Sequence, residues 1–196
     1  MDRDRRLNKD EWFVAPVGVA LARSIVEANH YARGASNTAT YLHGLYRSAD
    51  SFFGQECFGV AWWIPPTKSA ALATFPENWR GVLSLSRFVV VPGVPKNACT
   101  FLLSRSRKMI DRSKWPCLVT YADTWRGHSG TIYKADNWTY CGLTGAGATF
   151  TLNGVMVSRK AGPKTRTRSQ MAALGATFEG NHRKHKYVHI VRLRTA

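Results

Sequence analysis

Two apolar runs separated by an amphipathic stretch constrain the fold of this chain more than any other feature. Residues 82–91 are predicted to form a long buried strand, and residues 117–122 form a second. Between them, residues 97–112 have helical periodicity and begin at Asn97, a favourable N-cap residue. A strand, a helix and a strand in this order form a crossover, so we expect the two strands to be parallel and in one sheet.

The remaining elements surround this unit. We expect a helix at 17–28 that begins after Pro16, and an antiparallel hairpin with strands at 41–46 and 57–64. Further strand material is expected at 140–153, a short helix at 169–174 and a closing strand at 186–193. The predicted fold class is therefore α/β (α+β), with a mixed, mostly antiparallel central sheet that contains one parallel βαβ pair and is flanked by helices. The GCN5-related N-acetyltransferase (GNAT) fold has this order, which is an analogy of fold only. Residues 1–12 are expected to be a flexible arm, and 13–196 a single catalytic domain.

The positive charge is concentrated in the second half of the chain. Of 28 Lys and Arg, 17 lie in residues 97–196, which contain 4 of the 12 acidic residues. Such an imbalance is typical of nucleic-acid binding, although ribosomal or membrane-surface binding would also produce it. Two segments that lack acidic residues, 158–168 and 182–186, are the predicted phosphate contacts. The DNA-binding candidates are Arg159, Lys160, Lys164, Arg166, Arg168, Arg183, Lys184 and Lys186.

The stretch 121–144 has an unusual density of aromatic, amide and carboxylate groups for a loop. Asp123 lies where the second parallel strand should end, at the edge where open α/β sheets bind ligands. The alternative is that Asp123 caps the following helix or pairs with Arg126. The aromatic residues of the stretch 121–144, including Tyr140, could stack on a planar base or could simply fill the core. The substrate-binding candidates are Ser86, Tyr121, His128, Ser129, Tyr133, Asn137 and Trp138.

Three further positions carry chemistry. His30 and Tyr31 leave a helix end, where they could act as base and donor or bind a metal together with Asp123. A protonated His30 that satisfies terminal carbonyls is the alternative. Arg87 lies in an apolar strand and needs a partner, either Asp123 or an anionic substrate group. The loop 92–100 could hold a phosphate, but its single glycine departs from the turn that acetyltransferases use for coenzyme A.

The cysteines and the hydropathy indicate a cellular setting. The four cysteines form no C-x-x-C pair, which argues against a zinc ribbon and suits reduced thiols in a cytosolic protein. No run approaches the roughly 20 apolar residues of a membrane span. We therefore expect a cytoplasmic protein without membrane contact.

The quoted residues resemble a known family. The block Y-A-D-T-x-x-G-H-x-G-T-I-Y-x-A-x-N-W-x-Y-x-G, at 121–142, is similar to the signature of the bacteriophage Mom DNA-modification family, and segments 29–31, 85–102 and 185–187 support it. The resemblance implies a GNAT-like fold and conversion of the N6 amine of adenine in DNA to a carbamoylmethyl (acetamido) group, which protects phage DNA from restriction. The implied catalytic residues are His30, Tyr31, Arg87, Asp123 and Thr100, the last standing where a serine is expected.

The resemblance also bears on cofactors and partners. It implies acetyl-CoA or iron, and a His30, Tyr31 and Asp123 set without a thiolate suits iron better than zinc. Expected partners are double-stranded DNA and a second copy of the chain in a homodimer, in the cytoplasm of an infected bacterium. The leading hypothesis is a DNA adenine-modifying enzyme. The alternatives are an N-acetyltransferase for a small amine or protein and a non-catalytic nucleic-acid-binding protein.

Overall fold

A seven-stranded sheet with the expected parallel pair at its centre organises the chain. The computed structural model describes residues 6–34, 38–48, 56–161 and 164–191. The strands are β1 (Trp12–Pro16), β2 (Tyr41–Arg47), β3 (Cys57–Ile64), β4 (Val82–Val90), β5 (Cys117–Asp123), β6 (Thr139–Leu143), β7 (Gly147–Leu152), β8 (Val155–Val157), β9 (Lys160–Ala161), β10 (Lys164–Thr165), β11 (Thr177–His182) and β12 (Lys184–Ile190). The helices are α1 (Val19–Asn29), α2 (Lys68–Leu72), α3 (Ala98–Lys108), α4 (Thr131–Ala135) and α5 (Arg168–Ala173), with 3₁₀ turns at Pro76–Gly81 and Thr124–Arg126.

The strand order confirms the predicted fold class. The main sheet runs β1-β2-β3-β4-β5-β12-β6, and β4 and β5 are parallel while the other pairs are antiparallel. Helix α3 makes the crossover between β4 and β5, as the sequence predicts. Two layers of helices enclose the sheet. One apolar cluster joins α3 to residues such as Trp63 and Leu118, and a second joins α1 to residues such as Val60 and Trp62.

The two parallel strands separate after a short paired region. Their pairing ends at Ser84 and Val119. Farther along, Trp62 pairs with Arg87 while Trp63 pairs with Leu85, so β4 carries one extra residue opposite β3. A bulge of this kind bends a strand and redirects its side chains. The sheet therefore opens between β4 and β5 at the edge where Asp123 ends its strand.

The start of the first helix differs from the prediction. Pro16 is the last residue of β1 rather than the first of a helix, and α1 begins at Val19 after Gly18. The sequence pattern places Leu21 on one helix face with Ile25, but the buried face of α1 consists of Ala22, Ile25 and Val26, and Leu21 is 45% exposed. The pairing of β1 with β2 takes up Pro16, and this shifts the helix start and turns the face.

Helix α3 is shorter than the predicted 97–112. It ends at Lys108, because Asp111 accepts hydrogen bonds from the backbone N–H and the hydroxyl of Ser113 and so forms a turn. Asn97 does precede the helix, but it has a φ of 70° and its side chain makes no capping hydrogen bond. The sequence pattern places Met109 on one side of this helix with Leu102, but Leu102 is buried whereas Met109 is exposed.

An inserted lobe, residues 145–183, interrupts the main sheet between β6 and β12. In its described part, β11, β7 and β8 form a three-stranded antiparallel sheet, and α5 packs on it through Met171 and Phe150. The sequence predicts strand material at β7 and the helix α5, but it does not predict β11. Thr144 and Lys184 exchange two hydrogen bonds where the lobe leaves and re-enters the main sheet.

The two ends of the chain are described only in part. Residues 1–5 of the expected arm, part of the hairpin turn and residues 192–196 lie outside the described ranges. In the described part of the expected arm, the backbone N–H of Leu7 donates to the carbonyl of Lys96, and the side chain of Trp12 is buried. None of the helices in the described ranges is long and apolar enough to cross a membrane.

Candidate active site

A cavity of about 590 Å³ lies in the opening between β4 and β5. Its walls come from the end of α1, from the second half of both parallel strands, from Cys99 and from the loop that leads into α4. The lining residues are Asn29, His30, Tyr31, Leu85, Ser86, Phe88, Val89, Val90, Cys99, Thr120, Tyr121, Ala122 and 127–133. The volume lies within the usual range for small-molecule sites.

His30 lines the cavity as a neutral hydrogen-bond donor. It follows α1 directly, and its Nδ1 accepts the backbone N–H of Ala32 at 3.1 Å. Burial, reinforced by Arg87 and other nearby cations, lowers its pKa to about 4. Because Nδ1 is an acceptor and the ring is neutral at pH 7, the proton lies on Nε2. The predicted alternative of a protonated His30 on terminal carbonyls is therefore wrong.

Tyr31 is also a donor at neutral pH. Its ring stacks on His30 with 4.3 Å between centroids and meets His128 edge-on at 5.7 Å. Burial raises its pKa to about 12, with a further contribution from the negative charge of Asp123. Its hydroxyl thus keeps its proton throughout the physiological range.

Asp123 lies behind the cavity rather than in its wall. It is 3% exposed, its Oδ1 accepts the backbone N–H of Trp125 at 3.1 Å, and its Oδ2 lies 3.3 Å from Nζ of Lys184. The antiparallel register of β12 on β5 places Lys184 directly opposite Asp123. Neither predicted alternative applies, since Asp123 caps the 3₁₀ turn rather than α4 and its ion pair is with Lys184 rather than Arg126.

Arg87 does not pair with Asp123, contrary to one of the two predicted partners. Its Nε donates to the carbonyl of Gly34 at 2.6 Å, and its Nη1 donates to the carbonyl of Ser86 at 2.8 Å. Burial lowers the pKa of its guanidinium from the usual value. The two carbonyls orient the side chain, and no carboxylate among the described residues pairs with its positive charge.

The loop between β4 and α3 does not fit a coenzyme A pyrophosphate. Pro92 and Pro95 have no N–H, the N–H of Ala98 donates to the carbonyl of Pro95, and Gly93 is the only glycine. Thr100 donates its hydroxyl to the carbonyl of Asn97 and does not line the cavity. Three of the nine positions in the loop 92–100, Pro92, Pro95 and Ala98, therefore offer no free backbone N–H to a diphosphate.

The predicted substrate-binding residues separate into two groups. Ser86, Tyr121, His128, Ser129 and Tyr133 line the cavity, although Tyr133 is largely buried in the core. Asn137 and Trp138 do not. Asn137 adopts a φ of 60° after α4, and Trp138 is buried with its Nε1 donating to Asp136. These two residues shape the turn and the core, which is the ordinary role of such side chains.

A close backbone approach fixes the 127–130 loop. Tyr187 donates its hydroxyl to the carbonyl of Ser129 at 2.6 Å. Its ring lies so near Gly130 that a Cβ there would be 2.7 Å from the ring Cζ, and Gly130 has a φ of +73°. Only glycine satisfies both conditions without strain.

The donor set does not fit a metal ion, so the predicted iron ligands His30, Tyr31 and Asp123 are not assigned to one. The described residues contain no group of three or more His, Cys, Asp or Glu that could hold a metal. His30 uses Nδ1 on a backbone amide, Tyr31 keeps its proton, and Asp123 is paired with a lysine. Positive side chains around the site would also repel a cation.

The predicted DNA-binding residues lie in two environments. Lys160, Lys164 and Arg168 are exposed on the inserted lobe, where the Arg168 guanidinium stacks on Phe178. The Nε of Arg159 donates to the carbonyl of Arg166 across the β9–β10 turn, and Arg183 is exposed at the end of the lobe. Two of the eight are engaged elsewhere. Lys184 pairs with Asp123, and Nζ of Lys186 donates to the carbonyl of Ala73 at 3.0 Å.

Two residues at this site were missed from the sequence. Cys99 lines the cavity from the start of α3. Arg126 stacks on the rings of Trp125 and Tyr31, with its guanidinium carbon 4.2 and 5.2 Å from their centroids. The place of Arg126 directly after Trp125 and before Gly127 was the only available signal in the sequence.

Solved acetyltransferases share this fold. A GNAT family acetyltransferase from Elizabethkingia anophelis, solved with acetyl-CoA bound, superposes with a TM-score of 0.55 at 8% identity, covering 93% of this chain and 100% of that chain. An N-acetyltransferase from Staphylococcus aureus Mu50 gives a TM-score of 0.53 at 11% identity, covering 92% and 99%. These similarities confirm the predicted GNAT-like fold.

Sequence similarity supplies the family. Methylcarbamoylase mom of Escherichia phage Mu is 28% identical over 135 residues, which cover 66% of this chain and 53% of that protein. The chain thus spans about half the length of the curated relative that it matches. It also matches the Mom protein family over residues 11–196. Since that match includes nearly all of the sequence, the chain belongs to the Mom protein family.

Proposed function

We propose that this protein is a transferase that modifies adenine in double-stranded DNA at N6, forming the carbamoylmethyl derivative. The observation that carries the proposal is the cavity between β4 and β5, in which the family block 121–142 meets the His30–Tyr31 pair. The name of the phage Mu relative, a methylcarbamoylase, supports the type of group transferred. A base inside a duplex cannot reach such a cavity, so the adenine must be extruded.

The neutral donors in the cavity suit an adenine ring. His30 Nε2–H and the Tyr31 hydroxyl can donate to ring nitrogens, which are acceptors. Ser86 and Ser129 add hydroxyls to the wall, while Phe88 and Val89 supply apolar contact for the ring faces. We assign binding and orientation of the base to these residues, and bracing of the β4 and α3 walls to Arg87 and Thr100.

The carboxylate behind the cavity suits the proton balance. Forming the bond between N6 and the donor's methylene carbon breaks the bond from that carbon to its leaving group and releases one proton from N6. Asp123 lies behind the cavity wall and its charge acts on Tyr31, so we assign it as the acceptor that the proton reaches by way of the Tyr31 hydroxyl. Its ion pair with Lys184 holds it in place and offers a route by which the proton leaves.

The inserted lobe suits a phosphate grip. It contains six Lys or Arg against one acidic residue, Glu179. It begins and ends beside Asp123, because Thr144 and Lys184 join it to the sheet there. Contacts of this kind position a duplex without reading its sequence. We therefore propose that the lobe holds the duplex while the cavity receives the base.

A matched pair of variants tests the proposal. DNA from cells that express the protein is digested to nucleosides and weighed by mass spectrometry, and a modified adenine is expected. Asp123→Asn keeps the acceptor for Trp125 N–H but removes the charge, so the modified adenine should fall at least about a hundredfold while DNA binding persists. Asp111→Asn is the control, since Asp111 also accepts the N–H two residues ahead but lies far from the cavity.

The outcomes separate the hypotheses. An unmodified adenine pool in cells that contain the folded wild-type protein would refute the proposal. A non-catalytic binder would instead tolerate Asp123→Asn in every assay. If the modification is made, we further expect the DNA to resist restriction enzymes whose sites contain the altered adenine, as protection of phage DNA in the host cytoplasm requires.

An N-acetyltransferase for a small amine or protein is the second candidate. It is favoured by the bound acetyl-CoA in a protein of the same fold. It predicts that the protein binds acetyl-CoA without DNA, measurable by calorimetry. The proline-containing loop before α3 weighs against it.

A further inference from the structure

A continuous stack of planar side chains crosses the mouth of the cavity. It starts with the His30 and Tyr31 rings, continues through the Arg126 guanidinium, and reaches the indole of Trp125. Trp125 in turn lies 6.2 Å from the ring of His182 on the inserted lobe. The stack thus connects the cavity to the lobe that we assign to the duplex.

Positive charge at this mouth exceeds negative charge. The charges of Arg87, Arg126 and Lys184 all lower the pKa of His30, so the three cations lie near that ring. Among the described residues, Asp123 is the only carboxylate that pairs with any of the three, and it pairs with Lys184. Two guanidinium charges are therefore left without a carboxylate, and such an arrangement favours an anion.

Arg126 is the member of this set best placed to meet an incoming group. It is exposed, unlike the largely buried Arg87, and two aromatic rings hold its plane. A guanidinium that stacks through its faces keeps its N–H donors free at its edge, where they can bind two oxygens of one phosphate. An extruded base brings its flanking phosphates to the rim of the pocket that it enters.

We propose that Arg126 binds a backbone phosphate beside the extruded adenine, so that the cavity mouth is a phosphate subsite of the DNA. This inference rests on the proposed function and names a contact within it. Arg87 and Lys184 add to the attraction from behind. The stacking of Arg126 fixes the distance between the phosphate and the cavity, which sets how deeply the base enters.

A thermodynamic cycle between protein and DNA tests this contact. The DNA is a single-stranded oligothymidylate with one central adenine, made either with normal phosphates or with uncharged methylphosphonates on both sides of that adenine. Affinity is measured by fluorescence anisotropy for wild type, Arg126→Ala and Arg126→Lys. Arg80→Ala is the matched control, because Arg80 stacks on Trp79 at 4.5 Å near the opposite end of β4.

The cycle gives distinct results. We expect wild type and Arg80→Ala to lose about tenfold in affinity when the flanking phosphates are neutralised, and Arg126→Ala to lose less than about threefold. Arg126→Lys, which keeps the charge without the planar fork, should be intermediate. Equal losses in wild type and Arg126→Ala, with circular dichroism showing both folded, would overturn the proposal.

The same oligonucleotides keep the two proposals apart. An oligothymidylate without adenine serves as the reference for base recognition. If wild type prefers the adenine strand while the losses are equal, the phosphate subsite is wrong and the adenine pocket stands. If the adenine strand has no advantage, the proposed function is wrong, and a remaining loss specific to Arg126 would then support a phosphate contact independent of the base.

Discussion

Replacing Gly130 with alanine should destabilise the protein much more than replacing Gly127, although both glycines lie in one loop with positive φ. The φ values are +73° and +68°, and such a backbone costs an alanine about 1–2 kcal/mol in either case. A Cβ at Gly127 meets nothing within 4 Å. A Cβ at Gly130 would lie 2.7 Å from Cζ and 2.9 Å from the hydroxyl oxygen of Tyr187.

Tyr187 cannot move aside easily. Its ring is buried and packs between the rings of Tyr133 and Tyr140, with centroid distances of 5.3 and 5.2 Å. Its hydroxyl donates to the carbonyl of Ser129. Forcing extra volume into a packed site costs about 1–3 kcal/mol. We therefore expect about 2–5 kcal/mol for Gly130→Ala and about 1–2 kcal/mol for Gly127→Ala.

Urea denaturation followed by circular dichroism measures both losses. For a chain of this size, each kcal/mol also lowers Tm by about 2–4 °C. Tyr187→Ala, which removes the ring, should make Gly130→Ala less costly than in wild type, since the clash is gone. Equal free energies of unfolding for the two glycine variants would refute the packing argument.

The remaining predictions concern stability, pH and thiol access. Arg107→Ala should cost about 3–5 kcal/mol in thermal denaturation, because it leaves the buried Asp136 carboxylate without the guanidinium that binds both its oxygens. Burial lowers the pKa of His43 from 6.5 to about 4, so the unfolded state binds more protons. The His43 contribution to stability should thus fall as pH drops from 6.5 to 4, by up to about 3 kcal/mol at 1.36 kcal/mol per unit. In urea titrations a His43→Gln variant should lose this part of the slope and keep the part that comes from His30, whose pKa is lowered in the same way. A thiol reagent should label the exposed Cys141 first and the buried Cys57 and Cys117 only after unfolding.

The central fold could be predicted because its signals are local. Buried runs on both sides of α3 define β4 and β5 without knowledge of the rest of the chain. Asp123 could likewise be placed at a strand end from the sequence next to it. Helix faces were less predictable. The exposure of Leu21 depends on where β1 ends, which the sequence of α1 does not contain.

Partners across the sheet could not be predicted for the same reason. Lys184 lies opposite Asp123 because of the register of β12 on β5. These two strands are separated by 60 residues in the sequence, 124–183. Lys184 forms the ion pair with Asp123, and Arg87 donates hydrogen bonds to the carbonyls of Gly34 and Ser86. An aromatic residue such as Trp138 has the same local sequence signal whether it lines a pocket or fills the core. Burial and its hydrogen bond to Asp136 decide between the two.

The attachment of the inserted lobe has a consequence for how such enzymes can diverge. The lobe has its own small core and meets the main sheet at one edge, where Thr144 bonds to Lys184 and Thr124 bonds to Arg183. A segment with this architecture can be exchanged between relatives as one unit, with little disturbance of the sheet that forms the cavity. Replacing the lobe would therefore leave the residues that line the cavity unchanged.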